Sequence, residues 1–177
     1  MYTLRCTRSL LRRFRKAAVN EIVAPDPPST ILGDWYANDL RMGRHQLVIC
    51  TNERSLLTVV TTSRDLRDLP RRLAESTGQL LASIGVASDL IRSEVREMQW
   101  IQVARTESRS VLGSMNDFAF SVDAYFHSER KTVVLMELDR WLAETPCKPL
   151  KYRSPAEAAA DLMRAASSPG VAANKRR

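Results

Sequence analysis

The polar segment from Arg105 to Asp117 contains the side chains best suited to binding a ligand. Arg105 and Arg109 carry permanent guanidinium charges that favour an anion, and Asn116 and Asp117 can orient it by hydrogen bonds. If the segment is helical, polar side chains follow one line along its surface: Ser110, Ser114, Asp117 and Ser121. We expect a polar groove here. The alternative, which the small Gly113 permits, is a helix packed closely on a sheet, with Asn116 and Asp117 tying down a turn.

A second group of candidates lies in two short segments nearer the start of the chain, residues 34–38 and residues 52–54. Trp35 or Tyr36 could stack on a base or another flat ligand. Because neighbours on a strand point to opposite faces, only one of the two can line a given site. Core packing is the alternative for both rings, and a solvated hairpin turn is the alternative for the second segment. The ligand-binding candidates of these segments are Asp34, Trp35, Tyr36, Asn38, Asn52 and Glu53.

The net charge of +7 is unevenly distributed along the 177 residues. Residues 1–16 contain six basic and no acidic side chains, and the last four residues contain three more basic ones. Without these nine charges the chain has 18 basic and 20 acidic residues. A basic end can bind nucleic-acid phosphates by counterion release, whereas the alternative is a solvated face in an arginine-rich composition. The nucleic-acid candidates are Arg8, Arg12, Arg13, Arg15 and Lys16.

No pattern of a catalytic or metal centre stands out in the sequence. The three cysteines are far apart and lack a Cys-x-x-Cys spacing, and neither histidine belongs to a zinc-protease motif. We therefore expect no disulfide, metal or cofactor, and a reducing cytoplasmic location. Three carboxylates, Asp34, Glu53 and Asp117, could in principle hold Mg²⁺. A metal-dependent hydrolase or nuclease is thus the alternative to a non-catalytic binding module.

Hydrophobic periodicity predicts the elements that must position these residues. Strands are expected over Tyr2–Cys6, Trp35–Arg41, Gln46–Thr51, Ser55–Thr62 and Trp100–Arg105. Helices are expected over Arg8–Ala18, from Leu69 to Gly85, after a cap at Ser88, over Arg109–Phe126, over Thr132–Ala143 and after a capping box at Ser154. The prediction is an α+β fold: a small, mostly antiparallel sheet of four to five strands covered by helices, with a helical C-terminal part.

The same pattern predicts the domain organisation. Residues 1–145 should form a single α+β domain, residues 146–166 a helical extension packed on it, and residues 167–177 a flexible basic tail. No apolar run approaches the roughly 20 residues that span a bilayer, so we expect no membrane partner. Glycine-rich phosphate-binding motifs are missing, and strands that precede most helices argue against a βαβ nucleotide fold.

Four blocks of residues, in this order and spacing, resemble a family of small bacterial proteins, the domain-of-unknown-function family 6933. The blocks are residues 5–11 (RCTRSLL), 32–38 (LGDWYAN), 52–57 (NERSLL) and 105–117 (RTESRSVLGSMND). The resemblance covers about residues 2–125, and the helices from Thr132 onward look like an addition. It implies a shared fold and a bacterial origin, and it carries no activity, cofactor or catalytic residue.

These observations favour a cytoplasmic binding or interaction module whose partner is a protein or a nucleic acid. The basic first helix and the missing catalytic signatures are the reasons. Two alternatives stay open: the metal-dependent hydrolase, and a component of a mobile-element or toxin–antitoxin system.

Overall fold

The computed structural model describes residues 1–16, 24–128 and 133–167, which form one five-stranded sheet with helices on both faces. The strands are β1 (Tyr2–Cys6), β2 (Trp35–Met42), β3 (His45–Asn52), β4 (Thr58–Thr62) and β5 (Ile101–Arg105). The helices are α1 (Arg8–Lys16), α2 (Leu69–Ser83), α3 (Ser88–Glu97), α4 (Arg109–Ser128), α5 (Leu135–Glu144) and α6 (Pro155–Ser167). Within these ranges, no helix is both long and apolar enough to cross a bilayer.

The sheet is mixed, so the expectation of a mostly antiparallel sheet is wrong, while the α+β class is confirmed. The strand order is β4-β3-β2-β1-β5. β3 pairs antiparallel with β2 and β4, but β1 pairs parallel with both β2 and β5. Parallel strands need a long crossover connection. α1 lies in the connection from β1 to its neighbour β2, and α2 and α3 lie in the connection from β4 at one edge of the sheet to β5 at the other. Hydrophobic periodicity predicts that a segment is a strand, but it does not predict whether that strand runs parallel or antiparallel to its neighbour.

The two faces of the sheet bury two separate cores. On one face, the strand residues Leu4, Trp35 and Cys50 pack with side chains of α1, α2, α3 and α6. On the opposite face, Tyr36 and Ile49 pack with side chains of α4 and α5. This division arises because the side chains of consecutive residues on a strand point to opposite faces of the sheet.

Adjacent parallel strands β1 and β5 send their following helices to opposite faces. α1, which follows β1, belongs to the first core through Leu10, Leu11 and Phe14. α4, which follows β5, belongs to the second core through Val111 and Met115. In open sheets of parallel strands, such a divergence leaves a crevice at the carboxyl ends of the strands, where ligands commonly bind.

Local signals explain where the predicted boundaries hold and where they shift. The capping box is confirmed, because the Ser154 N–H donates to the Glu157 carboxylate at 2.8 Å and the Glu157 N–H donates to Ser154 Oγ at 3.2 Å. Ser88 is the first helical residue of α3 rather than its cap, and Ala87 precedes it without a side-chain bond. β4 begins at Thr58 instead of Ser55, since a turn with Leu56 at φ 58° precedes it.

The C-terminal part of the described chain packs onto the rest. Ala159 and Met163 of α6 are buried in the first core, and α6 contacts α5 and α2. α5 begins at Leu135, whereas the predicted start at Thr132 lies outside the described residues, as do Ala17 and Ala18 of the first predicted helix and residues 168–177 of the predicted tail.

α5 also covers the outer edge of β4 through a buried carboxyl group. Asp139 accepts a hydrogen bond from the Val60 backbone N–H at 2.8 Å. The residue is 1% exposed, and burial raises the pKa of its carboxyl to about 8 even though that bond lowers it. An uncovered edge strand invites pairing with another chain, so this contact closes the sheet at β4.

Replacing Asp139 with asparagine should flatten the pH dependence of folding stability. The fold favours the protonated carboxyl, so the stability from this group is complete below an unfolded pKa of about 4. It is lost as the pH rises through the folded pKa of about 8, at up to about 1.4 kcal/mol per pH unit. Asparagine keeps an oxygen for the Val60 N–H without a charge, and urea unfolding from pH 4 to 8 measures the difference.

The control is Glu137→Gln, at an exposed carboxylate of the same helix. Its stability profile should run parallel to that of the wild type. A wild-type profile parallel to that of Asp139→Asn would show that Asp139 does not titrate in this range.

Candidate functional site

Four arginines line one cavity of about 290 Å³ at the carboxyl ends of β1 and β5, here called the arginine pocket. Its lining residues are Cys6, Arg8, Leu11, Arg12, Arg15, Arg105 and Thr106. Arg8, Arg12 and Arg15 follow one another at spacings of four and three, so they share one face of α1. Arg105 ends β5 directly beside Cys6 in the parallel register. The pocket occupies the crevice that the divergence of α1 and α4 creates.

The core and the hydrogen bonds of Thr7 hold α1 in this position. Leu10 and Phe14 are fully buried beneath the helix, while the Thr7 N–H donates to the Ala37 carbonyl at 3.0 Å. The Thr7 hydroxyl donates to Asn38 Oδ1 at 2.8 Å, and the Leu11 N–H donates to the Thr7 carbonyl at 2.9 Å. Asn38, a predicted ligand residue, therefore fixes the start of α1.

The basic residues of α1 divide between two surfaces. Within the described ranges, neither Arg8 nor Arg12 forms a salt bridge. Arg13 points away from the pocket. It pairs with Asp39 and donates to the Ser63 carbonyl at 3.1 Å. Lys16 ends α1, and its side chain lies outside what the structure describes. Three of the five nucleic-acid candidates thus lie in one concave site.

A second charged group, here called the Arg5 cluster, lies on the other side of β1. It comprises Arg5, Asp34, Glu53 and Glu107. Arg5 Nε donates to Asp34 Oδ2 at 3.1 Å, and its Nη1 pairs with Glu107 Oε1. The other Asp34 oxygen accepts from the Thr3 backbone N–H at 2.9 Å. Arg5 and Cys6 are consecutive on β1, so they point to opposite faces.

The acidic members of the Arg5 cluster influence one another. Burial is the main cause that raises the pKa of Glu53, followed by the nearby negative charge of Asp34. Burial also raises the pKa of the neighbouring Tyr36 phenol. Its oxygen accepts the Ser108 backbone N–H at 3.1 Å. The predicted residues Asp34, Tyr36 and Glu53 therefore lie together, around an arginine that the sequence did not single out.

Two other predicted ligand residues are structural. Trp35 is fully buried in the first core. Asn52 is also fully buried, where its amide donates to the carbonyls of Leu32 and Asp34 at 3.1 Å each. Asn52 Oδ1 accepts from the Arg54 N–H, the Ser55 N–H and the Ser55 hydroxyl. Asn52 thus ties the turn after β3 to the segment before β2 and has no capacity left for a ligand.

The predicted polar groove of α4 does not assemble with Arg105. Arg109, Ser110, Asn116 and Asp117 are exposed on α4, whereas Arg105 lines the arginine pocket. A Cβ at Gly113 would have no atom within 4 Å, so close packing does not explain this glycine either. Asp117 lines a separate cavity of about 230 Å³, together with Ser114, Phe118, Ser121 and residues 145–149.

The three carboxylates proposed for Mg²⁺ are divided between two places. Asp34 and Glu53 belong to the Arg5 cluster, while Asp117 borders the cavity beside Cys147. In the ranges that the structure describes, no three histidine, cysteine, aspartate or glutamate side chains are grouped as metal ligands. The hydrolase alternative therefore lacks its proposed ligand set.

Sequence reasoning missed Arg5 and Glu107, which meet although 102 positions separate them. Each lies at or just beyond the carboxyl end of a strand, β1 and β5 respectively. A parallel pairing of these strands would have brought both residues to one edge, but the predicted sheet was mostly antiparallel.

Truncating Asn52 to alanine should destabilise the fold by about 3 kcal/mol or more. The change leaves the Leu32 carbonyl and two N–H groups without their partner, whereas the Asp34 carbonyl keeps the Glu53 N–H. Each unsatisfied buried group costs about 1–3 kcal/mol. The matched control is Asn116→Ala on the exposed face of α4, expected within about 0.5 kcal/mol of wild type. Urea unfolding measures both, and equal losses would contradict the structural role.

Comparison with known proteins gives one family match. The model of a domain of unknown function, DUF6933, matches residues 3–158 of the 177-residue chain. This region contains α5 and the first four residues of α6, so the match extends beyond the expected residues 2–125, and α5 is part of the family's domain and not an addition. No curated protein and no solved structure matches the chain. By this match over most of its length, the chain belongs to the DUF6933 family.

Proposed function

We propose that this chain is a non-catalytic binding module that holds a phosphate group of its partner in the arginine pocket. The observation that carries the proposal is the convergence of Arg8, Arg12, Arg15 and Arg105 on one concave cavity. Guanidinium groups pair with phosphate oxygens through two parallel hydrogen bonds, which makes arginine well suited to phosphate recognition.

Electrostatics supports an anionic ligand of high charge. Arg8 and Arg12 bring two like charges to one cavity, and a bound anion relieves the repulsion between them. Arg8 and Arg12 have no carboxylate partner within the described chain, so a ligand phosphate would be their ion-pair partner. The location at the carboxyl ends of two parallel strands adds independent support, because such crevices are common ligand sites.

The chemistry of the lining favours binding over catalysis. Besides arginines, the pocket offers Cys6, Leu11 and Thr106. Burial and the neighbouring Cys50 and Asp39 raise the pKa of the Cys6 thiol well above its usual value, which suppresses the nucleophilic thiolate. Neither histidine lines the pocket: His45 packs against Phe126, and His127 pairs with Asp123. Among the lining residues that the structure describes, there is therefore no general base.

The proposal places this module in the cytoplasm. All three cysteines are free thiols, which suits a reducing compartment.

Reversing one pocket charge should weaken phosphate binding strongly. Arg12→Glu removes a guanidinium and adds a repulsive carboxylate, so the Kd for inorganic pyrophosphate should rise at least tenfold, since a charge-assisted hydrogen bond contributes about 1.5–3 kcal/mol. Isothermal titration calorimetry at 50 and 200 mM salt measures this. The wild-type affinity should fall with added salt, because screening weakens exposed charge pairs.

The matched control is Arg92→Glu, the same charge reversal at an exposed position of α3 outside the pocket. Its effect on the pyrophosphate Kd should stay below twofold. Equal weakening by both variants would assign the binding to overall charge, and undetectable binding of pyrophosphate by the wild type would refute the proposed function.

A further inference from the structure

We propose that the arginine pocket selects a terminal phosphate, as in a small phosphomonoester, and that Glu107 is a specificity-determining residue that keeps out a continuing nucleic-acid strand. This inference rests on the proposed function and names the class of its ligand. It concerns what surrounds the pocket, since the arginines alone would accept any phosphate.

The pocket and the Arg5 cluster are continuous at the end of β5. Arg105 and Thr106 line the pocket, and Glu107, the next residue, contacts Arg5 on the other side of β1. Two residues of extended chain span about 7 Å at most. Glu107 directly follows two residues that line the pocket, and its side chain is 67% exposed. A ligand chain that leaves the pocket past Thr106 would therefore meet the Glu107 carboxylate at this rim.

The Arg5 cluster has three carboxylates, Asp34, Glu53 and Glu107, and one guanidinium, that of Arg5. Asp34 is buried beneath Arg5, whereas Glu107 is exposed. A phosphodiester strand that passed from the pocket over this rim would bring its next phosphate close to these carboxylates.

The number of bonds that link the phosphate to the rest of the ligand makes this exclusion selective. An internal phosphodiester has chain on both sides, so it needs two exits from the cavity, and each further phosphate adds a negative charge. A phosphomonoester needs one exit only, and its phosphate carries a charge of about −1.5 to −2 at neutral pH. The higher charge strengthens the attraction between the phosphate and the pocket arginines. Because the ligand is small, it places no second phosphate near the carboxylate of Glu107.

Direct binding measurements on the full chain separate these ligands. The probes are glycerol 3-phosphate, a thymidine dodecamer with a free 5′-hydroxyl, and the same dodecamer with a 5′-phosphate, in calorimetric titrations at one salt concentration. We expect glycerol 3-phosphate to bind at least tenfold more tightly than either dodecamer, because both dodecamers bring further phosphates to the rim. The 5′-phosphorylated dodecamer should bind more tightly than the 5′-hydroxyl dodecamer, because it offers a terminal phosphate. Arg12→Glu should weaken the binding of the two probes that offer a terminal phosphate.

Neutralising the rim tests the role of Glu107. In Glu107→Gln, the affinity for the 5′-hydroxyl dodecamer should rise at least fivefold more than that for glycerol 3-phosphate. Glu53→Gln is a second variant of the same rim, so a folding defect in one does not decide the test. Glu75→Gln, at an exposed carboxylate of α2, is the control and should leave the ratio of the two affinities unchanged.

The outcomes distinguish the inference from the proposed function. If pyrophosphate binds and the 5′-hydroxyl dodecamer binds as tightly as glycerol 3-phosphate, the ligand is a nucleic-acid strand and the inference is wrong while the proposed function stands. If both rim variants raise all affinities by the same factor, Glu107 sets no specificity. If pyrophosphate fails to bind the wild type, the proposed function itself is lost.

Discussion

The parallel pairing of β1 between β2 and β5 is the constraint on which the rest of the structure depends. It brings the carboxyl ends of β1 and β5 side by side, although Arg5 and Glu107 are 102 positions apart. The pairing is held by hydrogen bonds along both edges of β1, and by Leu4 and Cys6, which are fully buried on its core side. Because α1 then turns to one face and α4 to the other, the crevice between them is a consequence of topology and not of any loop.

Alternation along these strands also separates the charges. Arg5 and Cys6 point to opposite faces of β1, so the same strand end borders a basic pocket on one side and an acidic cluster on the other. The connection after β5 repeats the division, since Arg105 joins the pocket and Glu107 joins Arg5. A one-residue shift in the register of either strand would exchange these sides. The register therefore sets the electrostatics of the site as much as the residue types do.

The sequence predicted the elements well because their signals are local. Periodicity predicted the five strands of the described residues, apart from the start of β4, and the capping box at Ser154 predicted the start of α6. The direction of β1 depends on contacts across the whole chain, which no local pattern encodes. The same limit explains the errors at the candidate site: Asn52 is polar in the sequence, yet it is fully buried as a hydrogen-bonding hub. Arg109 and Asn116, by contrast, belong to the exposed face of α4.

The fold determines where the unevenly distributed charges of the chain lie in space. The basic first helix does not present one basic surface, because Arg13 is neutralised by Asp39 while Arg8 and Arg12 remain at the pocket. At physiological ionic strength, charges separated by more than about 8 Å are largely screened from each other in solvent. Pairing within a few ångströms, as between Arg13 and Asp39, therefore decides which charges a ligand in the pocket meets. The net charge of the chain says little about which anion it binds.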